Sequence, residues 1–235
     1  MRFFTPFGVK AYNSKVNIPE IKWREQAVYK QEVTHLITEL RGEVWIGVMI
    51  GNYDKGGHKL TMELEYFPWN MKVIEKAFNN YVQPLFYNLQ IIPGQQNHSL
   101  FAHDSLEVEF TLPDNIKNLK MMYITTGHGG WGGGDEFNQK INAIYVDGQK
   151  EYICIPWRTD CATYRDINPA SGNFWNGVSS SDFSRSNWAP GTTTNPIIVP
   201  LFDLKPGKHT MKIAIHQGEG SSSWNVSGVL IGKYK

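Results

Sequence analysis

Residues 126–137 place six glycines, one histidine, one tryptophan and two adjacent carboxylates in a single run, Thr126-Gly127-His128-Gly129-Gly130-Trp131-Gly132-Gly133-Gly134-Asp135-Glu136-Phe137. Without a Cβ, glycine lets the backbone come close to a ligand and adopt conformations closed to other residues, at an entropic cost. The run lacks the Lys-Ser/Thr ending of a phosphate-cradling loop and leads into no evident helix, which argues against nucleotide binding. It also reads as a surface loop with solvated acids. Spacing alone leaves both readings open.

A second polar and aromatic stretch begins at Pro156-Trp157-Arg158-Thr159-Asp160-Cys161, passes Asn168-Pro169-Ala170-Ser171-Gly172-Asn173-Phe174 and ends at Ser184-Arg185-Ser186-Asn187-Trp188. A strand-poor connection of this length in a compact domain is usually functional or disordered, and its Trp and Phe content argues against disorder. Aromatic faces beside Arg and Asn suit sugars, whose C–H faces stack on rings while their hydroxyls need donors and acceptors. The competing reading is an Ω-type loop packing its own aromatic residues. The seven histidines are scattered, so no metal site is expected. No serine sits in a nucleophile-elbow pattern.

The elements that must carry these loops are strands. Leu60, Met62, Leu64 and Tyr66 alternate with polar residues, as do Leu106, Val108, Phe110 and Leu112, and Met211, Ile213 and Ile215. This period of two predicts strands with one apolar face. Asp147-Gly148 between two apolar runs predicts a hairpin. Val33, Leu36, Ile37 and Leu40 alone have helical spacing, closed by Gly42 as a C-cap. A domain boundary is expected between Phe67 and Tyr81, which gives an incomplete first domain at 1–80 and a second at 81–235. The fold class read from this pattern is all-β, as two jelly-roll or related sandwiches; a single large sandwich is the alternative.

Charge is nearly balanced, 23 basic against 22 acidic residues, so no basic field points to nucleic acid. Two cysteines, Cys154 and Cys161, are too few for a disulfide scaffold. No apolar run is long enough for a membrane helix, and the first residues lack the features of a signal peptide. Phe3-Phe4-Thr5-Pro6-Phe7-Gly8 reads as a broken strand, as though a segment preceded it.

The glycine run, the Ile155-Pro156-Trp157-Arg158-Thr159-Asp160-Cys161 segment, Ser184-Arg185-Ser186-Asn187-Trp188 and Trp224-Asn225-Val226-Ser227-Gly228 together resemble, in order, the C-terminal domain of peptide-N-glycosidase F-like proteins. The resemblance implies two adjacent jelly-roll β-sandwiches, the first truncated at its N-terminus. It implies a secreted, periplasmic or cell-surface amidase, acting as a monomer without cofactor or metal. Its substrates would be N-glycosylated peptides or glycoproteins, cut between the Asn side chain and the innermost N-acetylglucosamine. Glu136 takes the position of a catalytic glutamate and Arg185 that of a supporting arginine. His128 or Trp131 takes that of a substrate-contacting aromatic residue, and Asp135, Trp188 and Arg158 are assigned to substrate binding with them.

The departures from the family pattern point the other way. The family's principal aspartate falls upstream of Met1, and a further carboxylate position falls near Met49. Relatives pair a cysteine at the position of Cys161 with one at Ala189, which leaves Cys161 and Cys154 free or joined to each other. The chain as written is therefore expected to be impaired as an amidase, with a non-catalytic glycan-binding or surface module as the alternative.

Overall fold

The computed structural model describes residues 28–48, 59–67, 79–88, 100–130, 133–164, 182–189, 191–220 and 222–235. Eight strands follow in chain order: β1 Asn80–Asn88, β2 Leu106–Leu112, β3 Ile116–His128, β4 Asn142–Val146, β5 Gln149–Cys154, β6 Ile197–Pro200, β7 Gly207–Ile215 and β8 Ser223–Tyr234. They form two antiparallel four-stranded sheets, ordered β1-β8-β3-β6 and β2-β7-β4-β5. Chain neighbours fall in opposite sheets except at β4–β5, and this interleaving is the jelly-roll arrangement. The protein is all-β, with one short helix, α1 at Leu100–His103, among the described residues.

The core fills the space between the sheets. Met121 and Tyr123 of β3 and Trp224, Val226 and Leu230 of β8 meet Ile144 of β4 and Met211 and Ile213 of β7, all fully buried. The alternation expected for β2 and β7 is present, with Phe110 and Leu112, then Met211, Ile213 and Ile215, turned inward. Asp147 and Gly148 form the predicted hairpin at φ 50° and 80°, so both central residues adopt the left-handed conformation that matches strand twist. The Asp147 carboxylate also accepts the Thr210 N–H at 2.9 Å and meets His209 Nδ1 at 2.7 Å, which ties the turn to β7.

Two expectations in the first eighty residues need correction. Residues 60–66 form no strand among the described residues, and Leu60, Met62, Leu64 and Tyr66 are all exposed. Alternation shows that a segment has an apolar face, not that another layer covers it. The helical pattern at 33–40 is reduced to a 3-10 turn, Thr34–Leu36, although Gly42 does take the left-handed conformation at φ 68°. That turn lies on the outer face of the first sheet. His35 and Leu36 enclose a small space with Met122, Ile124, Ser227 and Val229, and Asn80 Nδ2 donates to the His35 carbonyl at 3.4 Å. The segments at Phe3, at Met49 and at 168–174, and most of the expected boundary between 67 and 81, lie outside the described residues.

Candidate functional site

The site is built where β3 ends. Gly127 pairs with Trp224 and His128 with Ser223, the last rungs of the long β3–β8 ladder. Gly127 must be glycine because a Cβ there would fall 2.7 Å from Ser186 Cβ and 2.8 Å from the Trp224 ring. That closeness lets Gly127 N–H donate to the Ser186 carbonyl at 3.1 Å, which brings the segment around Arg185 against the strand end. The chain then turns through Gly129, Gly130 and Gly133 at positive φ.

Asp135 fixes the far side of this turn. Its carboxylate, fully buried, accepts the Trp224 indole N–H at 2.7 Å and the Gly218 N–H at 3.0 Å, and faces Lys140 Nζ at 3.4 Å. Its N–H donates to Ser222 Oγ at 3.2 Å, and its carbonyl accepts from Ser186 Oγ at 2.5 Å. A buried charge with this many partners is satisfied where it is. It holds the loop to the turn before β8.

The next residue engages a different group. Glu136 Oε1 accepts from Arg185 Nη1 at 2.9 Å, and Oε2 accepts the Gly130 N–H at 3.2 Å. The Arg185 side chain is 3% exposed and that of Glu136 is 16% exposed, so the pair is reached from one side through the carboxylate. The guanidinium carbon lies 4.5 Å from the Trp188 ring and 5.0 Å from the Phe137 ring, within cation–π range of both. Arg185 Nε donates to the Phe183 carbonyl at 3.3 Å. Burial raises the Glu136 carboxyl above its ordinary value, opposed by Arg185 and the Gly130 N–H; burial likewise lowers Arg185, opposed by Glu136. Such a carboxyl is suited to exchanging protons nearer neutrality than an exposed glutamate.

Residues 1–66 match the family described as Peptide-N-glycosidase F, N terminal, and residues 96–231 match Peptide-N-glycosidase F, C terminal. The chain belongs to the peptide-N-glycosidase F family. A solved PNGF-II structure is 44% identical with a TM-score of 0.80, over 100% of this chain and 45% of that one. This chain therefore spans less than half the length of that relative. PNGase F, described as a glycosylasparaginase from Flavobacterium meningosepticum, is 17% identical over 66% of this chain and 52% of its own, with a TM-score of 0.51. A peptide-N(4)-(N-acetyl-β-D-glucosaminyl) asparagine amidase gives 17% over the same shares, with a TM-score of 0.53. At that identity the last two show the fold alone. No curated protein matches significantly.

Within this peptide-N-glycosidase F fold the sequence-predicted residues separate into three groups. Glu136, Arg185, Trp188 and His128 come together: the His128 ring stacks on Trp188 at 5.4 Å, and its Nε2 meets Thr126 Oγ1 at 2.9 Å. Trp188 is 5% exposed and its indole N–H donates to the Gly127 carbonyl at 2.9 Å, so it is a floor beneath Arg185 rather than an open stacking face. The Asp135 carboxylate, expected to contact substrate, is buried and engaged by Trp224, Gly218 and Lys140. Among the described residues, Arg158 joins the site through its backbone, by a two-hydrogen-bond bridge to Arg185. Its side chain is committed to Asp160, at 2.5 and 2.9 Å, and to the Thr193 carbonyl at 2.8 Å. Trp131 lies outside the described residues.

Sequence reasoning missed Phe137, Ser186 and the Gly130 N–H. An aromatic residue directly after the glutamate was the available signal for Phe137; Ser186 and Gly130 stand inside the selected runs, but nothing there marked their individual roles. Cys154 and Cys161 are free thiols, which settles the alternative left open between them. Cys161 is buried, with Sγ 3.7 Å from the Trp188 carbonyl. Burial pushes the Cys154 thiol up to about 11, so it is no thiolate nucleophile near neutrality.

Proposed function

We propose that this chain contributes the second-domain half of an N-glycan amidase site, with Glu136 as its proton-transferring group. The supporting observation is the half-sheltered carboxylate fixed through both oxygens, by Arg185 at 2.9 Å and the Gly130 N–H at 3.2 Å. The bond cut is the amide between the Asn side chain and the innermost N-acetylglucosamine. A water oxygen attacks the amide carbon while Glu136 takes its proton. The tetrahedral species then breaks its C–N bond, and the nitrogen leaves with the proton returned by Glu136. The products are an Asp side chain and a glycosylamine. Arg185 holds the carboxylate in place and stays protonated throughout. His128 extends the same floor toward the substrate.

The reaction belongs to an extracellular protein acting on glycopeptides or glycoproteins, and this chain spans 45% of the relative it matches at 44% identity. A second reading, glycan binding without hydrolysis, draws on the engagement of both Glu136 oxygens before any substrate arrives. Incubation with a short N-glycopeptide separates the two, with mass spectrometry reporting Asn converted to Asp. Glu136→Gln is expected to lower conversion by about 10²–10⁴-fold with the fold retained, the usual contribution of a positioned acid–base group. Glycan binding with no conversion by the unsubstituted chain leaves the binding reading in its place.

A further inference from the structure

Across the backbone bridge from Arg185, the structure opens a cavity of about 300 Å³ lined by Trp157, Arg158, Thr159, Asp160, Asn187 and Asn195. No step of the amidase reading uses it. We propose that this cavity binds a neutral, hydroxyl-rich ring of an oligosaccharide, as a subsite separate from the Glu136 carboxylate.

The chemistry of the lining carries the assignment. Arg158 and Asp160 form a two-pronged ion pair, Nε to Oδ1 at 2.5 Å and Nη2 to Oδ2 at 2.9 Å, so their charges cancel within the wall. Burial opposes Arg158's charge, but the hydrogen bond and charge of Asp160 outweigh it and hold the guanidinium above its ordinary value, while the hydrogen bond from Arg158 holds the Asp160 carboxyl below the usual range. A phosphate or sulfate would have to compete with Asp160 for the guanidinium. The cavity still offers polar atoms to a neutral ligand. Arg158 Nη1 donates to the Thr193 carbonyl at 2.8 Å, and Nη2 also reaches the Tyr164 hydroxyl at 3.2 Å. Among the described residues this leaves one of the five guanidinium N–H groups without a protein acceptor. Asn187 uses Nδ2 on the Thr125 carbonyl at 2.9 Å and keeps its carbonyl oxygen as an acceptor. Thr159 and Asn195, both exposed, add a hydroxyl and a second carboxamide. The half-buried Trp157 brings an indole to the same lining.

Size and place agree with a sugar. The volume is at the small end of ligand cavities, roughly 300–1,000 Å³, enough for a ring rather than a folded segment. Asn187 is two residues from Arg185, a backbone distance of at most about 7 Å. The subsite therefore stands beside the amidase site without sharing its carboxylate, and it holds whether or not Glu136 hydrolyses an amide.

The test is titration of the full chain, followed through the Trp157 indole N–H signal by NMR, with three probes: mannotriose, N,N′-diacetylchitobiose and inorganic phosphate. At least one saccharide is expected to shift that signal saturably, and phosphate is not. Trp157→Ala should weaken saccharide binding by roughly threefold to tenfold, the scale of one aromatic contact, with Trp157→Phe retaining most of it. Because Trp157→Ala removes the reporter, its affinity is read by calorimetry. Asn195→Ala, at an exposed position, gives an independent loss without risk to folding. The assignment is overturned if neither saccharide moves the signal, if phosphate moves it instead, or if Trp157→Ala and Asn195→Ala both bind as before.

Discussion

The Glu136 carboxyl is pushed above the ordinary glutamate range by its removal from water, while the Arg185 guanidinium 2.9 Å away and the Gly130 N–H pull it down. Burial prevails, as is common for ion pairs taken out of solvent. If Glu136 accepts a proton from water, activity requires its ionised form, which accumulates only above the raised pKa. The acid limb of a kcat/KM profile on an N-glycopeptide should then lie above 4.5, the ordinary value for Glu, rather than at it. A limb at or below 4.5 would assign the proton transfer to another group. The same shift has a stability consequence of opposite direction. Between the ordinary and raised values the folded state binds more protons than the unfolded chain, so this group's contribution to stability declines as pH rises through that window. Activity and stability pull apart at one residue. The adjacency of Asp135 and Glu136 made a carboxylate site legible in the sequence, but the division of roles was not. That depends on which acid Trp224 and Gly218 capture, and those partners lie more than eighty residues away.

At the scale of elements, the β3–β8 ladder sets the position of the site, because its last rungs put Gly127 beside Trp224 and Ser186. Gly127→Ala introduces a methyl group within 2.9 Å of a fully buried indole and of Ser186 Cβ, neither of which has room to retreat. Overpacking of this kind usually costs about 1–3 kcal/mol. The variant should show a reduced denaturation midpoint, together with lost activity, since the displaced Ser186 carries Arg185 with it. A stable, fully active Gly127→Ala protein would show that the strand end does not position the site. Strand legibility differed with burial. The alternation of β2 and β7 was visible because one face of each meets water. β8 is buried on nearly every residue from Ser223 to Gly232, so period two is lost there. Leu60, Met62, Leu64 and Tyr66 mislead in the opposite sense, alternating without being covered.

For the whole molecule, the outer face of β3 links the early part of the chain to the site. Met122 and Ile124 lie under His35 and Leu36, and Thr126 and His128 continue that face to the glycine turn. From Ile124 to His128 is about 13 Å along an extended strand. The early turn and the candidate site therefore lie along one face of β3. His35 makes this seating sensitive to pH. Burial lowers its pKa, with Lys120 acting in the same direction and Glu32 against it. A histidine held neutral in the folded state binds fewer protons there than when unfolded. Its contribution to stability is thus present above the ordinary value of 6.5 and is lost as pH falls through the lowered one. Acidification should loosen residues 34–36 from the sheet before the sandwich itself unfolds. Hydrogen exchange followed from pH 7 to about pH 5, after correction for the intrinsic rate, should show falling protection at Ile37 and Leu40, whose N–H groups close the turn. The β3–β8 ladder should keep its protection over the same range. His35→Gln, which cannot take up the proton, should abolish the difference between the two pH values. If that variant retains it, the dependence arises elsewhere, and the seating of the turn is not governed by His35.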